Sequence, residues 1–327
     1  MPTLRRRLLE FLPKLNVHVK DLESGAALLS RRGGYRVTPM GSRSWLVSRG
    51  KNKFADHVAS MVTGAAASAR WRPVSFGPGA RLFVDANQDA EDEWVMQKAA
   101  HNYLAARNVA SLLDHYQVNC VFDVGANIGQ YGRQLRKYGY KGRIVSFEPV
   151  AATAEKLRRV AEDDPEWRVY PYALGREERV DTMNVVYGSM SSLLDPTTFG
   201  NERYKRFRNT RPEEIHVRRL DSLADEALKG IDDPRPYLKL DTQGYDLEAF
   251  AGAGEWTGEF VGLQSEVALM RIYEGMPRMG EAIETYEAEG FEITGMFPVT
   301  REETTGRVLE FDCVMVRADM LPPSTSQ

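Results

Sequence analysis

From Asp89 onward the chain alternates between two textures, and this alternation limits its fold more than any other feature. A stretch without Pro or Gly, "DAEDEWVMQKAAHNYLAARNVASLLDHY", is rich in helix formers and opens on acids, as a helix N-terminus favours. There follow the apolar run "CVFDVG", the amphipathic "GQYGRQLRKYG", the apolar "GRIVSFEP", the amphipathic "AATAEKLRRVAEDD" and the apolar "WRVYPYALG". After an interruption at about 183–216 the pattern resumes with "YLKLD", a helix over about 244–253, the run "FVGLQSEVAL" and a helix near 278–289. Short runs that are apolar throughout belong to strands buried on both faces, so the expected fold is α/β, a doubly wound sheet with helices on both sides. The segments "FEITGMF" and "RVLEFDCVMVRAD" flank a charged turn region and read as an antiparallel hairpin at one edge of that sheet.

The first 88 residues have another character. Residues 1–80 carry 14 Lys/Arg against 4 Asp/Glu, a net of +10, so the remainder carries −13 of the chain's total of −3. Residues 4–12 read as a basic amphipathic helix, either docked on its own protein or touching a membrane surface. Beyond it, "RRGG", "PMGSRS" and "SFGPGA" separate strand-like pieces at 35–37, 45–47 and 81–84. The expected division is a basic accessory region of unassigned fold at 1–88, the α/β domain at 89–320, and a disordered tail at 321–327. Apolar residues at 43% and charged residues at 27% exclude a disordered chain or a fibre. Cys120 and Cys313 each sit in an apolar run and read as buried small hydrophobes, without disulfide framework or zinc spacing. There is no apolar run of about 18 residues and no convincing signal peptide, so the cytoplasm is the expected location.

The sharpest local signal is "VFDVGANIGQYG". Asp123 ends a strand, and Gly125 and Gly129 bracket a turn into a helix, where bare backbone can approach a ligand. The spacing is Gly-x-Asn-x-Gly: Asn127 stands where a pyrophosphate site needs its second glycine, and no Gly-rich loop ends in Lys-Ser/Thr. Glu148 ends the next strand, 23 residues after Gly125, where a carboxylate accepts hydrogen bonds from ribose hydroxyls. A nucleoside cofactor without pyrophosphate fits both features, and S-adenosylmethionine is such a molecule. Asp123 and the loop amides would serve its amino-acid end. The competing reading is a glycine turn and a surface glutamate with no ligand.

Three stretches, "VFDVGANIGQYG", "GRIVSFEPV" and "LKLDTQGYDLEAFAGA", resemble the FkbM-type family of S-adenosylmethionine-dependent methyltransferases. "DPEWRVYPYALG", "SMSSLL", "RRLDSL" and "QSEVALMRIYEG" are similar to members of that family in the same order, so the resemblance covers roughly 95–317. It implies a class I methyltransferase-like sheet of seven strands with the last antiparallel. It also implies transfer to oxygen, on hydroxyls of sugars, glycans or natural-product scaffolds. Carried over by motif, Asp123, Gly125, Asn127 and Gly129 would line the methionine part of the cofactor. Glu148 would hold the ribose, and Ala173 and Leu174 would lie near the adenine. The chain departs from the family at Gln243, where a glutamate is frequent.

Catalytic groups are expected at the carboxyl ends of the central strands, around the ligand crevice of an open α/β sheet. Lys239 and Asp241 are two apart on a strand and share a face, and a lysine inside an apolar strand needs a partner. Asp241 is that partner, either as the base for the acceptor hydroxyl or in a purely structural pair orienting the next helix. Glu266 ends the following strand as a second acid for acceptor binding or proton transfer. Gln264 shares its face, and Tyr273 and Glu274 border the acceptor pocket. Ser191 and Ser192 of "SMSSLL" are candidate substrate-binding hydroxyls. Arg203, Lys205, Arg206, Arg208 and Arg211 read as a solvated surface or as a cover over an anionic acceptor. The acidic remainder disfavours nucleic acid as a partner, no "NPPY"-type loop is present, and homo-oligomerisation stays open. No histidine clustering indicates a metal, though carboxylates from distant strands leave room for a divalent ion. The alternatives to O-methylation are an N-methyltransferase, a nucleic-acid methyltransferase, and a module that binds the cofactor without turnover.

Overall fold

The computed structural model describes residues 18–21, 26–30, 35–41, 44–49, 61–63, 71–75, 80–85, 93–302 and 304–321, with side chains described from Ala100. The chain divides into two compact units, Met1–Tyr103 and Leu104–Gln327. In the first unit, β1 (His18–Asp21), β2 (Ala26–Ser30) and β5 (Met61–Thr63) form one antiparallel sheet in the order β1-β2-β5. A second antiparallel sheet orders β3 (Tyr35–Gly41), β4 (Ser44–Arg49), β7 (Ala80–Asp85) and β6 (Trp71–Ser75) as β3-β4-β7-β6. The strand-like pieces at 35–37, 45–47 and 81–84 lie within β3, β4 and β7. The expected helix over 4–12 lies outside the described residues, as does the tail beyond 321. Among the described residues no helix is long and apolar enough to cross a membrane.

Helix α1 (Glu93–His115) runs across the division between the units. It leads into β8 (Cys120–Val124), α2 (Gln130–Lys137), β9 (Arg143–Phe147), α3 (Ala151–Ala161) and β10 (Trp167–Tyr170). Later come α5 (Asp221–Leu228), β14 (Pro236–Leu240), α6 (Asp246–Ala251), β15 (Gly262–Ala268), α7 (Met279–Ala288), β16 (Phe291–Arg301) and β17 (Val308–Arg317). The seven strands lie in the order β10-β9-β8-β14-β15-β17-β16. All run parallel except β17, which is antiparallel to both neighbours and closes the expected edge hairpin with β16.

The uniform apolarity of these strands is explained by a core on each face. Every residue of β8, β9 and β14 is buried. Val121, Ile144, Trp167 and Tyr237 face one way, with Leu113, Leu135 and Leu157 from α1–α3 packed on them. Phe122, Phe147, Leu238 and Leu263 face the other, covered by Leu223 of α5, Phe250 of α6 and Tyr286 of α7. Cys120 and Cys313 are buried free thiols.

The run "WRVYPYALG" is two strands. Trp167–Tyr170 stays in the main sheet, whereas β11 (Ala173–Leu174) joins a small second sheet, β11-β13-β12, with β12 (Arg179–Val185) and β13 (Arg211–Arg218). Pro171 has no N–H to give a ladder and marks the break. The polar interruption therefore folds. Its helix α4 (Thr198–Arg203) is capped by the Thr197 hydroxyl, which accepts from the Gly200 N–H. Thr197 N–H also donates to Ile272 O at 2.9 Å, docking α4 on the loop after β15.

The strand order reverses between β8 and β14, and the backbone after one strand crowds the end of the other there. Gly125 has φ +77°, and a Cβ on it would lie 2.0 Å from the Asp241 carbonyl oxygen. Gly125→Ala is expected to destabilise the domain by at least about 2 kcal/mol, from left-handed strain plus a backbone clash. Urea unfolding of the two proteins measures it.

Candidate active site at the strand-order reversal

Directly paired residues of adjacent strands share a face, and the register aligns Ser146, Asp123, Lys239 and Gln264 across β9, β8, β14 and β15. This polar row crosses an otherwise apolar layer. Lys239 Nζ lies 3.0 Å from Asp123 Oδ1 and 3.4 Å from Asp241 Oδ2, and 5.3 Å from the centre of the Tyr131 ring. Ser146 Oγ donates to Asp123 Oδ2 (3.3 Å) and accepts from Trp167 Nε1 (3.0 Å). The Tyr131 hydroxyl donates to Gln264 Oε1 at 3.1 Å. Burial works against the Lys239 charge, but Asp123 and Asp241 outweigh it and raise its pKa. The expected Lys239–Asp241 pair is thus present, with Asp123 as the nearer partner. Asp123 has no exposed surface, so its carboxylate serves the ion pair first.

The turn after β8 is built on left-handed backbone at every second residue: Gly125 (φ 77°), Asn127 (φ 49°) and Gly129 (φ 79°). Asparagine tolerates that region better than other residues with a side chain, which fits it for the middle position. Gly125 and Ala126 N–H both donate to Phe147 O, Asn127 N–H to Glu148 Oε2 (2.9 Å), and Gly129 N–H to Ala126 O. Val150 N–H donates to the other Glu148 oxygen at 3.0 Å. The expectation that loop amides face a ligand therefore fails at these four positions. Nothing there can cradle a pyrophosphate, and the Glu148 carboxylate would repel one. Each Glu148 oxygen keeps a lone pair for a hydroxyl. Burial pushes its pKa up to about 7, against the lowering effect of the two amides. Asn127 Nδ2 donates to Gly188 O (3.2 Å) and ties the 186–192 loop to this turn. Ala173 and Leu174 are buried in β11, Ala173 packed with Val150, Met183 and Ile215.

On the β14–β15 side, one residue joins the candidate acids. Gln243, with φ 56°, donates its amide Nε2 to Asp241 Oδ1 (3.0 Å) and to Glu266 Oε2 (3.1 Å). Its Oε1 accepts from the Tyr273 hydroxyl (3.2 Å), and its carbonyl from Ser192 Oγ (2.8 Å). Asp241 keeps 41% of its side chain exposed. Sequence reasoning treated Gln243 only as a neutral departure. The missed signal is chemical: a primary amide is an uncharged side chain able to donate to two carboxylates at once.

The other candidates are held by their neighbours. Ser191 Oγ accepts from Val186 N–H, and Ser192 is buried with its hydroxyl also accepting from Leu194 N–H. Tyr273 is buried and its hydroxyl also reaches Met190 O at 2.9 Å. The register brings Asp312 beside Glu266 and Glu310 beside Ala268, extending the acidic face onto β17. These two acids went unrecognised, although their spacing of two in "EFDCV" on a strand was a readable sign. Burial, then Glu310, pushes Glu266 well above the usual carboxylate range. Burial likewise takes Glu310 to about 7, and Asp312 and Asp246 to about 6. Among the described residues, no group of three or more His, Cys, Asp or Glu is arranged to hold a metal ion.

Removing the ammonium leaves Asp123 buried and unpaired, so Lys239→Met is expected to cost about 3–5 kcal/mol, largely recovered in Asp123→Asn/Lys239→Met. Denaturant unfolding of the single and double variants checks this. For Glu310 the folded pKa lies above the unfolded one. Its contribution is therefore full below the unfolded value and is lost as pH rises through about 7. Glu310→Gln should gain about 1–3 kcal/mol on wild type between pH 5.5 and pH 8. Unfolding at the two pH values would reveal that widening gap; a constant gap would refute the raised pKa.

The methyltransferase FkbM domain matches residues 123–293, just over half of the chain. Comparison with curated protein sequences gives no match. Among solved structures, magnesium protoporphyrin IX methyltransferase from Synechocystis PCC 6803, with bound SAM, is similar at 12% identity and TM-score 0.38. That alignment covers 71% of this chain and 86% of that one. Aeropyrum pernix fibrillarin, with S-adenosyl-L-methionine natively bound, is similar at 12% identity and TM-score 0.35, covering 92% and 100%. Precorrin-6y C5,15-methyltransferase from Geobacter metallireducens GS-15 is similar at 11% identity and TM-score 0.35, covering 64% and 86%.

Proposed function

Because this chain belongs to the FkbM methyltransferase family, we propose that it is an S-adenosylmethionine-dependent O-methyltransferase acting on a hydroxyl of a small molecule, glycan or natural-product scaffold. The observation that carries this reading is the placing of two carboxylates on either side of the strand-order reversal. Glu148 stands on the β9 side, and the exposed Asp241 on the β14 side next to a fixed ammonium. S-adenosylmethionine supplies a methyl group activated on a positively charged sulfur. Glu148 would accept hydrogen bonds from the ribose hydroxyls, and the acid-rich surroundings suit a cation.

Asp241 is the proton acceptor. With S-adenosylmethionine supplying the methyl group, Asp241 would take up the proton that the acceptor hydroxyl gives up on methylation. Glu266, whose pKa burial and the nearby Glu310 push above the usual carboxylate range, stands beside Asp241 as a second acid for contact with the acceptor. Gln243 keeps both side chains at fixed separation. Most of the rate then comes from alignment, with the base adding its share.

Calorimetry should register binding of S-adenosylmethionine and not NAD. Affinity should fall as pH drops below about 7, where Glu148 takes up a proton, and Glu148→Gln should bind more weakly with no such dependence. A preference for NAD would sink the cofactor assignment. With labelled methyl donor and fractionated metabolites, Asp241→Asn should lower transfer by about 10²–10⁴-fold with donor affinity unchanged. Mass analysis placing the methyl group on nitrogen would overturn O-methylation.

A further inference from the structure

We propose that Arg203 and Arg301 form an oxyanion-binding subsite at the acceptor end of the crevice, so that the methyl acceptor carries a phosphate, sulfate or carboxylate group. This inference rests on the methyltransferase reading for its role. Its geometry stands independently.

Arg203 ends α4 and Arg301 ends β16. Arg203 Nη2 donates to Arg301 O at 3.3 Å, so its guanidinium abuts the neighbouring arginine's backbone, and it lies 5.7 Å over the Tyr204 ring. Both residues are half-buried, and the Nε atom of each is shut from solvent with no hydrogen-bond partner. Among the described residues neither makes an ion pair. Elsewhere this domain pairs its arginines readily, even at the surface: Arg176 with Glu248, Arg211 with Glu213, Arg271 with Glu281. A half-buried guanidinium whose Nε has no hydrogen-bond partner is left with donor capacity that an anion would fill. A guanidinium fork matches an oxyanion in charge and geometry.

The position points to the acceptor. Thr300 pairs with Glu310, which pairs with Ala268, and after a register irregularity Arg301 pairs with Val308, two residues before Glu310 on β17. Tyr204 feels both Glu310 and Arg203, which joins the two regions. Among the described residues neither arginine is ion-paired with Glu310, whose pKa is raised by burial and by Asp241, Asp246 and Asp312 against a hydrogen bond from Thr300. A substrate lying from Asp241 across Glu266 would bring its far end to the arginine pair.

The test titrates inorganic phosphate into the full-length protein by calorimetry, with chloride balancing ionic strength. Saturable binding is expected, weakened about tenfold or more in Arg203→Gln and in Arg301→Gln. Arg203→Lys and Arg301→Lys should be intermediate, and Arg158→Gln, on the exposed face of α3, unchanged. S-adenosylmethionine binding, measured on every variant, should persist. Phosphate binding no stronger than chloride, or undiminished in both glutamine variants, would overturn the subsite. Failure of S-adenosylmethionine to bind, with phosphate binding intact, would strike the methyltransferase reading and leave the anion site standing. When metabolites are split on an anion exchanger, the methylated product should come from the retained fraction. Product found only in the unretained fraction would overturn the anionic acceptor.

Discussion

The Lys239 ammonium stands inside the sheet between Asp123 and Asp241, and the arrangement of the site follows from that one ion group. A lone charge at this depth would carry a desolvation cost of several kcal/mol, so each member needs the others. Asp123 comes from β8 and Lys239 from β14, the two strands between which the sheet order reverses. The pair therefore locks the register where the two halves of the crevice meet. It also positions Asp241 with a cation on one side and the Gln243 amide on the other. Ser146 links Asp123 to Trp167, and Tyr131 bonds Gln264 at the other end of the polar row.

Around that group the crevice has two chemical halves. The turn after β8 consumes its own amides and presents a carboxylate, which suits a ligand bearing hydroxyls and positive charge better than one bearing phosphates. The β14–β15–β17 side presents acids of graded character. Asp241 is exposed and paired with an ammonium, whereas Glu266 and Glu310 are pushed towards the neutral form by burial and by neighbouring acids. Environments that separate the behaviour of neighbouring carboxylates allow one to receive a proton while another donates a hydrogen bond. Gln243 makes this compatible with close packing, because its amide donates to two acids without adding charge.

Much of this was legible from residue types alone. The strands were readable because apolar runs with no alternation are stable only when covered on both faces, and the hairpin because two such runs flank a charged turn. The Asp123–Gly125–Asn127–Gly129 turn and Glu148 could be found because left-handed backbone and a strand-end acid leave a fixed spacing. The split of "WRVYPYALG" was less visible: Pro171 signalled a break, but the partner of β11 is a strand some forty residues later. Glu310 and Asp312 escaped notice because their significance depends on pairing with β15, which a single strand's sequence does not state.

The sequence by itself determined the alternation of elements, the turn that follows β8, and the two charged residues of "LKLD", because backbone preference and burial cost act on residues close along the chain. Only the tertiary structure decided which charges meet. Asp123 is 116 positions from Lys239 yet 3.0 Å away, and Gln243 lies 23 positions from the Glu266 it holds. Strand order and register choose those partners, and electrostatic energy depends on separation in space and on local burial, not on distance along the chain.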